Sequence, residues 1–294
     1  MSIKTTLKLI SKPLIAGIAI AITFSSCKKD NQDPVDVIPL KVSSATYQWG
    51  ELAINKKEGY DVVKYNPGTG KIDSVIATGP TGSVPVTVVF SYAGNKLSLN
   101  TAFQDEYELD NNGRVITHIT HEVQHGNEIA SIQRYTYDAN GYLNKVTMSS
   151  NFNSTVGTPF SEINYTVKNG NYTRFALSNI ADGKVTREYN FDYNTSRTAY
   201  SPASLFAPGF ANNTLSNIDK YLNFGKGSKN LLKAVNYRVI NLDNTLVIGS
   251  FDAAVQVNAA NYLTGLSLSG TAISGMPSDN LSPLPRRVSF VYQQ

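Results

Sequence analysis

The sequence predicts a mainly β fold, an extended, twisted antiparallel meander of repeated hairpins with one short helical insertion. Three observations carry that expectation. Turn glycines recur at Gly113, Gly141 and Gly170, at two almost equal intervals. Each lies between segments in which aromatic and β-branched residues alternate with polar ones, the pattern of a half-buried strand. A stretch from 201 to 230, broken by Pro202, Pro208, Gly209, Gly225 and Gly227, interrupts the rhythm. One period therefore holds two strands and their two connections, as in a meander whose strands pair with their sequence neighbours.

The chain opens with Lys4, Lys8 and Lys12 ahead of the apolar run Leu14-Ile15-Ala16-Gly17-Ile18-Ala19-Ile20-Ala21-Ile22. Basic residues, then a short apolar core, then small residues make a secretory signal peptide, here residues 1–26. The core is shorter than the roughly 20 residues of a permanent membrane helix. Phe24-Ser25-Ser26-Cys27 follows, and Cys27 is the only cysteine in the chain. This ending resembles a bacterial lipobox, with Phe24 where leucine is usual. The resemblance implies cleavage before Cys27, lipidation of its sulfur and acylation of its new amino group. Several acyl chains, at about 0.8 kcal/mol per buried methylene, anchor a protein firmly. Lysine at positions 28 and 29, rather than aspartate, implies delivery to the outer membrane; which face of that membrane the protein occupies is left open.

Residues 27–41 then read as the lipidated cysteine and a polar, proline-broken tether without the apolar content for a core. Loss of the signal removes three lysines and no acid, so 26 basic and 22 acidic residues become 23 and 22. With that balance, and without a basic stripe interleaved with aromatics, nothing points to nucleic acid. Residues 42–294 form a single β-rich domain in this reading.

Hairpins are expected around Asn112-Gly113, Asn140-Gly141 and Asn169-Gly170, where the pairs suit positive φ. Weaker copies lie at Tyr65–Ile72, Phe90–Leu97 and Tyr237–Leu246. Tyr135-Thr136-Tyr137-Asp138-Ala139-Asn140-Gly141-Tyr142-Leu143 resembles the tyrosine-aspartate repeats of RHS-type surface proteins. It is more similar still to a family of β-rich Gram-negative lipoproteins that carry such hairpins behind a lipobox. The interval between its turn glycines is longer than the period of RHS repeats, which implies an open, twisted sheet rather than a closed RHS shell. In the insertion, Asn213 can cap a short helix over residues 214–222 with Leu215, Ile218 and Leu222 on one face. Its expected place is over one side or edge of the sheet. Residues 287–292 read as a last strand.

All three histidines lie between residues 118 and 125, and His121-Glu122-Val123-Gln124-His125 matches HExxH, the zinc metallopeptidase signature. That chemistry needs a helix, which turns both histidines to one face beside the glutamate base. The flanks are β-branched on one side and turn-forming on the other. In a strand, Glu122 points away from His121 and His125, whose α-carbons are then roughly 13 Å apart. With Gly126-Asn127 as a two-residue turn, His121 would sit opposite Ile132 and His125 opposite Glu128. His118 would face away from His121. A metal site is therefore not expected, with zinc at His121 and His125 as the alternative, and no cofactor is expected.

No Ser-His-Asp or Cys-His set, phosphate-binding GxxxxGK[ST] or dinucleotide GxGxxG is present. Asp105 and Glu106 face opposite sides of a strand and so make a poor glycosidase pair. The 17 Tyr and 12 Phe are expected to pack across strands. Alternatively Trp49, Tyr135, Tyr137 and Tyr142 form an aromatic platform for a glycan or a partner protein. The functional expectation is a non-enzymatic outer-membrane lipoprotein that serves as a binding or scaffold module for an envelope protein or glycan. The alternative is an envelope hydrolase working through HEVQH.

Overall fold

A computed structural model describes residues 41–49, 57–79, 84–101, 105–124, 127–152, 158–202, 205, 218–240, 244–270 and 287–293. Cys27 and the tether up to residue 40 lie outside these residues. The segment Leu40–Gln294 forms one compact unit.

Sixteen strands run in chain order: β1 (Val42–Trp49), β2 (Lys57–Tyr65), β3 (Ile72–Thr78), β4 (Val86–Ala93), β5 (Lys96–Leu99), β6 (Glu106–Leu109), β7 (Val115–Gln124) and β8 (Asn127–Tyr137). They continue as β9 (Leu143–Phe152), β10 (Thr158–Lys168), β11 (Asn171–Asn179), β12 (Val185–Thr198), β13 (Asn230–Ile240), β14 (Leu246–Val257), β15 (Leu263–Ser269) and β16 (Arg287–Tyr292). Each pairs with its sequence neighbours, and β16 returns to β1 through Thr46↔Ser289 and Tyr47↔Val288, closing a barrel. The expected open sheet is thus corrected to a closed one. Closure pairs the two edges that a meander would leave exposed.

Turn chemistry follows the sequence closely at one end of the barrel. Gly113, Gly141 and Gly170 all have positive φ, the conformation that favours glycine. Of their paired asparagines only Asn169 shares it, so the turns at Asn112-Gly113 and Asn140-Gly141 are longer than the tight pair the sequence suggested. Asp138 shows why an acid opens the repeat. Its Oδ1 accepts hydrogen bonds from the amides of Asn140 and Tyr142, at 3.0 and 2.8 Å, while its own amide donates to the Tyr142 carbonyl. Asp110 does the same for Asn112 and Arg114, and Asn258 for Ala260 and Tyr262.

The residues of the HExxH match up to Gln124 lie in β7, a strand and not a helix. The turn to β8 lies one residue earlier than Gly126-Asn127 suggested: Gln124 pairs with Asn127, and His121 with Ala130 rather than Ile132. The register moves by two residues, and only an odd slip would exchange the faces of a strand.

The lumen is packed mainly with apolar and aromatic side chains. Tyr165, Phe175, Tyr189, Tyr237 and Phe251 cross it on five successive strands, with neighbouring ring centroids 5.5, 5.1, 6.4 and 5.3 Å apart. A ring can sit flat against the wall where the cross-strand partner lacks a Cβ. Tyr47 lies over Gly59 and Tyr237 over Gly249, each glycine being the registered partner of its tyrosine. The cavity between Tyr193, Leu232, Leu263 and Leu266 is ≈ 20 Å³, room for about one water.

The insertion after β12 crosses the end of the barrel that carries these turns. Tyr200 donates its amide to Asn261 O, and the amide of Val115 donates to Asn223 O. Lys226 and Lys229 donate theirs to Gly141 O and Gly170 O. Gly225 packs so tightly on the Gly141 carbonyl that a Cβ would not fit. The expected helix over 214–222 is not supported: the described part is a single 3-10 turn, Ile218–Tyr221, and residues 206–217 lie outside the described ones. The extended path after the turn lets successive amides reach successive hairpins, which a helix, bonding its amides internally, would prevent. The segment stoppers an end instead of covering a sheet edge.

Candidate functional site

The stopper reaches deep into the barrel. Asp61 faces inward from β2, four residues from that strand's end, or roughly 13 Å along it. It is fully buried, as is all but 4 % of the Lys220 side chain, whose Nζ lies 2.6 Å from Asp61 Oδ2. Tyr221 donates its hydroxyl to the same carboxylate at 2.7 Å and Tyr47 does so at 3.4 Å. Lys220 Nζ also stands 3.7 Å from the centre of the Tyr47 ring. Burial, then the Asp61 charge, pushes the Tyr47 and Tyr221 phenols well above their ordinary range, so both stay donors. The arrangement is a latch with no reactive group turned to solvent. Neither Asp61 nor Lys220 stood out in the sequence, where a single lysine within the expected helix, off its apolar face, reads as exposed.

A second polar cluster surrounds His118. Its Nε2 lies 2.9 Å from Asp105 Oδ1, Thr120 Oγ1 lies 3.1 Å from the same oxygen, and Thr101 donates to Asp105 Oδ2 at 2.5 Å. The cross-strand partner Tyr107 stacks on the imidazole with centroids 4.2 Å apart. Burial raises the Asp105 pKa, but the hydrogen bonds from His118, Thr101 and Thr120 and the His118 charge outweigh it, and the net shift is downward. A depressed carboxylate pKa adds stability above the unfolded value, about 3.9, and that stability is lost as pH falls through the lower folded value. Asp105→Asn should therefore cost stability at pH 6, with the gap to the parent closing below about pH 4. Denaturant melts at both pH values check this; a gap that stays constant would show that the charge of Asp105 contributes nothing.

Of the residues considered as an aromatic platform, Tyr135 and Tyr142 lie in the core and Tyr137 packs against it. Tyr135 is 3 % exposed and packs 5.1 Å from Phe224 of the stopper. Tyr142 is 8 % exposed and meets Tyr172 edge-on. Tyr137 donates its hydroxyl to Val115 O at 2.6 Å, with the Arg114 guanidinium over its ring. Trp49 ends β1; its side chain lies outside the described residues, as does His125. His121 is half-buried on β7.

The outer wall is where charge gathers. Lys145 pairs with Glu162 and Arg174 with Glu188, each at 2.7 Å. Lys145 and Arg174 hold these two glutamates below the usual carboxylate range. Arg238 and Asp192 extend the charged surface on β13 and β12, both exposed. A wall facing lipid would need an apolar band about 25 Å tall and would lose roughly 2–4 kcal/mol per basic residue near its middle. Here the apolar face is inside and the charged face outside, the reverse of a membrane-spanning barrel.

The two ends differ. At the far rim, opposite the stopper, large apolar side chains are exposed: Phe160 at 50 %, Ile180 at 41 %, Leu246 at 46 % and Ile248 at 51 %. Ile180 and Phe160 are tied by an amide-to-carbonyl hydrogen bond of 3.0 Å. At the stoppered end a depression of ≈ 460 Å³ opens between the β2–β3 and β4–β5 turns, with Ile72, Phe90 and Tyr92 as its floor and Asn66, Thr69 and Lys71 at its lip. Lys71 Nζ stands 4.7 Å from the Tyr92 ring centre.

Against known proteins, no family model matches the chain and no curated protein does. Among solved structures, a porin-like protein from Bacteroides uniformis ATCC 8492 has 12% identity and a TM-score of 0.56, over 87% of this chain and 99% of that one. A porin-like protein from Bacteroides vulgatus ATCC 8482 has 13% identity and a TM-score of 0.47, over 86% and 99%. A chain of the Photorhabdus luminescens Tc holotoxin pore has 12% identity and a TM-score of 0.28, covering 80% of this chain and 14% of its own. The first likeness shows a shared barrel fold; function does not follow from fold alone.

Proposed function

We propose that this chain is a lipid-anchored outer-membrane protein whose barrel stands in water beside the membrane, as a non-catalytic binding or scaffold module. The observation that carries this is the inside-out polarity of the barrel, with aromatic rings filling the lumen and ion pairs on the outer wall. Such a barrel neither spans lipid nor conducts. The signal sequence, Cys27 and the resemblance to β-rich lipoproteins supply the anchor. The exposed apolar side chains of the far rim suit a partner protein better than a glycan, because four aliphatic or aromatic side chains offer area but few hydrogen bonds.

Two measurements test the reading. Metabolic labelling with a tagged fatty acid should mark the protein, and Cys27→Ala should lose both the label and its sedimentation with outer membranes. Purified protein added to planar bilayers should give no stepwise conductance. Discrete conductance steps would make it a channel and overturn the proposal; unlabelled protein would remove the anchor.

A further inference from the structure

The barrel has a basic end, and it is the end from which the tether leaves. Lys41, immediately before β1, lies beside the β2–β3 turn: its Nζ stands 5.0 Å from the Tyr65 ring centre, and its carbonyl accepts the amide of Gln293. The anchoring Cys27 is separated from Lys41 by residues 28–40, a span with a root-mean-square reach of about 20 Å if flexible. The stoppered end is therefore held nearest the bilayer.

At that end Lys71 and Lys96 flank neighbouring turns, Lys168 ends β10, and Lys226 and Lys229 ride on the stopper across the β8–β9 and β10–β11 turns; all but the half-buried Lys229 are exposed. The acids there are fewer: Asp73, Glu108, Asp110 and Asp138 stand against these lysines together with Lys41 and Arg114, and Asp110 is paired with Arg114 at 2.6 Å. At the far rim Glu106 and Asp182 stand with Lys184 and Arg287, and no sign prevails among these described residues. The tether adds Lys28 and Lys29 but also Asp30, Asp33 and Asp36, so the basic excess lies on the barrel end itself.

We infer that the stoppered end is a docking face for an anionic phospholipid surface, so that the barrel stands on the membrane with its apolar rim turned outward. The inference rests on the anchored reading for its geometry, yet its contacts are electrostatic and need no acyl chain. Lysines near an anionic leaflet each strengthen binding about fivefold, and the effect fades within a Debye length of about 10 Å.

Residues 28–294 contain the whole closed unit and can be assayed without lipid. The probe is a vesicle of phosphatidylcholine and phosphatidylglycerol mixed about seven to three, anionic enough to set up a negative surface potential. In flotation at low salt this protein should rise with such vesicles. It should stay behind with pure phosphatidylcholine or at about 0.5 M salt. The triple variant Lys71→Glu, Lys96→Glu, Lys226→Glu should weaken binding at least a hundredfold. Lys184→Glu with Arg287→Glu at the far rim should change it less than threefold. Unaltered melting temperatures establish that these surface variants fold. No flotation up to millimolar lipid, or equal losses from both ends, would overturn the docking face. Failure of the fatty-acid label alone would remove the anchor and leave this result standing.

Discussion

Lys220→Met should lower the unfolding free energy by about 3–5 kcal/mol, the cost of leaving a buried charge without its counter-ion. The prediction follows from the latch, where Asp61 is fully buried and Lys220 Nζ is its nearest cation, 2.6 Å away. The methyl end of Met fills most of the space, so the loss is electrostatic and not a cavity effect. In a unit of this size a kilocalorie moves the midpoint by roughly 2–4 °C, so the melt should drop by about 10 °C. The decisive companion is Lys220→Met with Asp61→Leu. Replacing a whole buried pair with apolar groups is often neutral or better, and the double variant should recover most of the loss. If Lys220→Met alone costs under about 1 kcal/mol, well short of a broken buried pair, the Tyr221 and Tyr47 hydroxyls are enough to hold Asp61, and the lysine is not the latch.

Tyr172 carries the second large effect. It is fully buried, its ring meets Tyr142 and Tyr165 edge-on with centroids 5.8 Å away, and its hydroxyl does two jobs. It accepts the amide of Leu143 and donates to the carbonyl of Lys226, both at 2.9 Å, joining the β8–β9 hairpin to the stopper. Tyr172→Ala removes ring and link together and should cost about 3–5 kcal/mol. Tyr172→Phe keeps the ring and strands the Leu143 amide, for about 1–3 kcal/mol. The two differ in a further way. The Phe variant should expose Lys226 and Lys229 to trypsin under native conditions before the barrel melts. If cleavage there appears only together with global unfolding, the stopper is not held at this point by Tyr172.

Much of this architecture was legible because it is local. The even spacing of the turn glycines, the Tyr-Asp-x-Asn-Gly form of the 135–143 hairpin and the strand character of the segment from 115 to 124 all depend on neighbours within a few positions. Closure depends on pairs such as Thr46↔Ser289, and an alternating pattern is identical whether a meander ends in free edges or joins them. The tyrosines of the repeat illustrate the same limit. Alternation shows that Tyr135 and Tyr137 share a face, but only the curvature of the closed sheet makes that face the inside. The latch was illegible for another reason: an aspartate in β2 and a lysine beyond the end of β12 carry no mark of each other. The helix expected at 214–222 shows apolar spacing satisfied by another route, with Ile218 buried in the lumen while the following residues reach out to the hairpins.

The seam between β1 and β16 joins the first strand to the last, and this constrains how the molecule is made. A chain that emerges amino-terminus first presents β1 long before its seam partner exists. For that interval one edge of the growing sheet stays unsatisfied, competent to recruit another chain. Every strand after the first can zip onto its predecessor as it arrives, most at the small entropic cost of a short loop, with longer connections only before β13 and β16. The last step must bring together segments at the greatest separation the barrel contains, which is the slow kind of contact. The seam is therefore the expected slow step of assembly and the expected point of exchange between molecules, so yield should depend on how many copies emerge side by side.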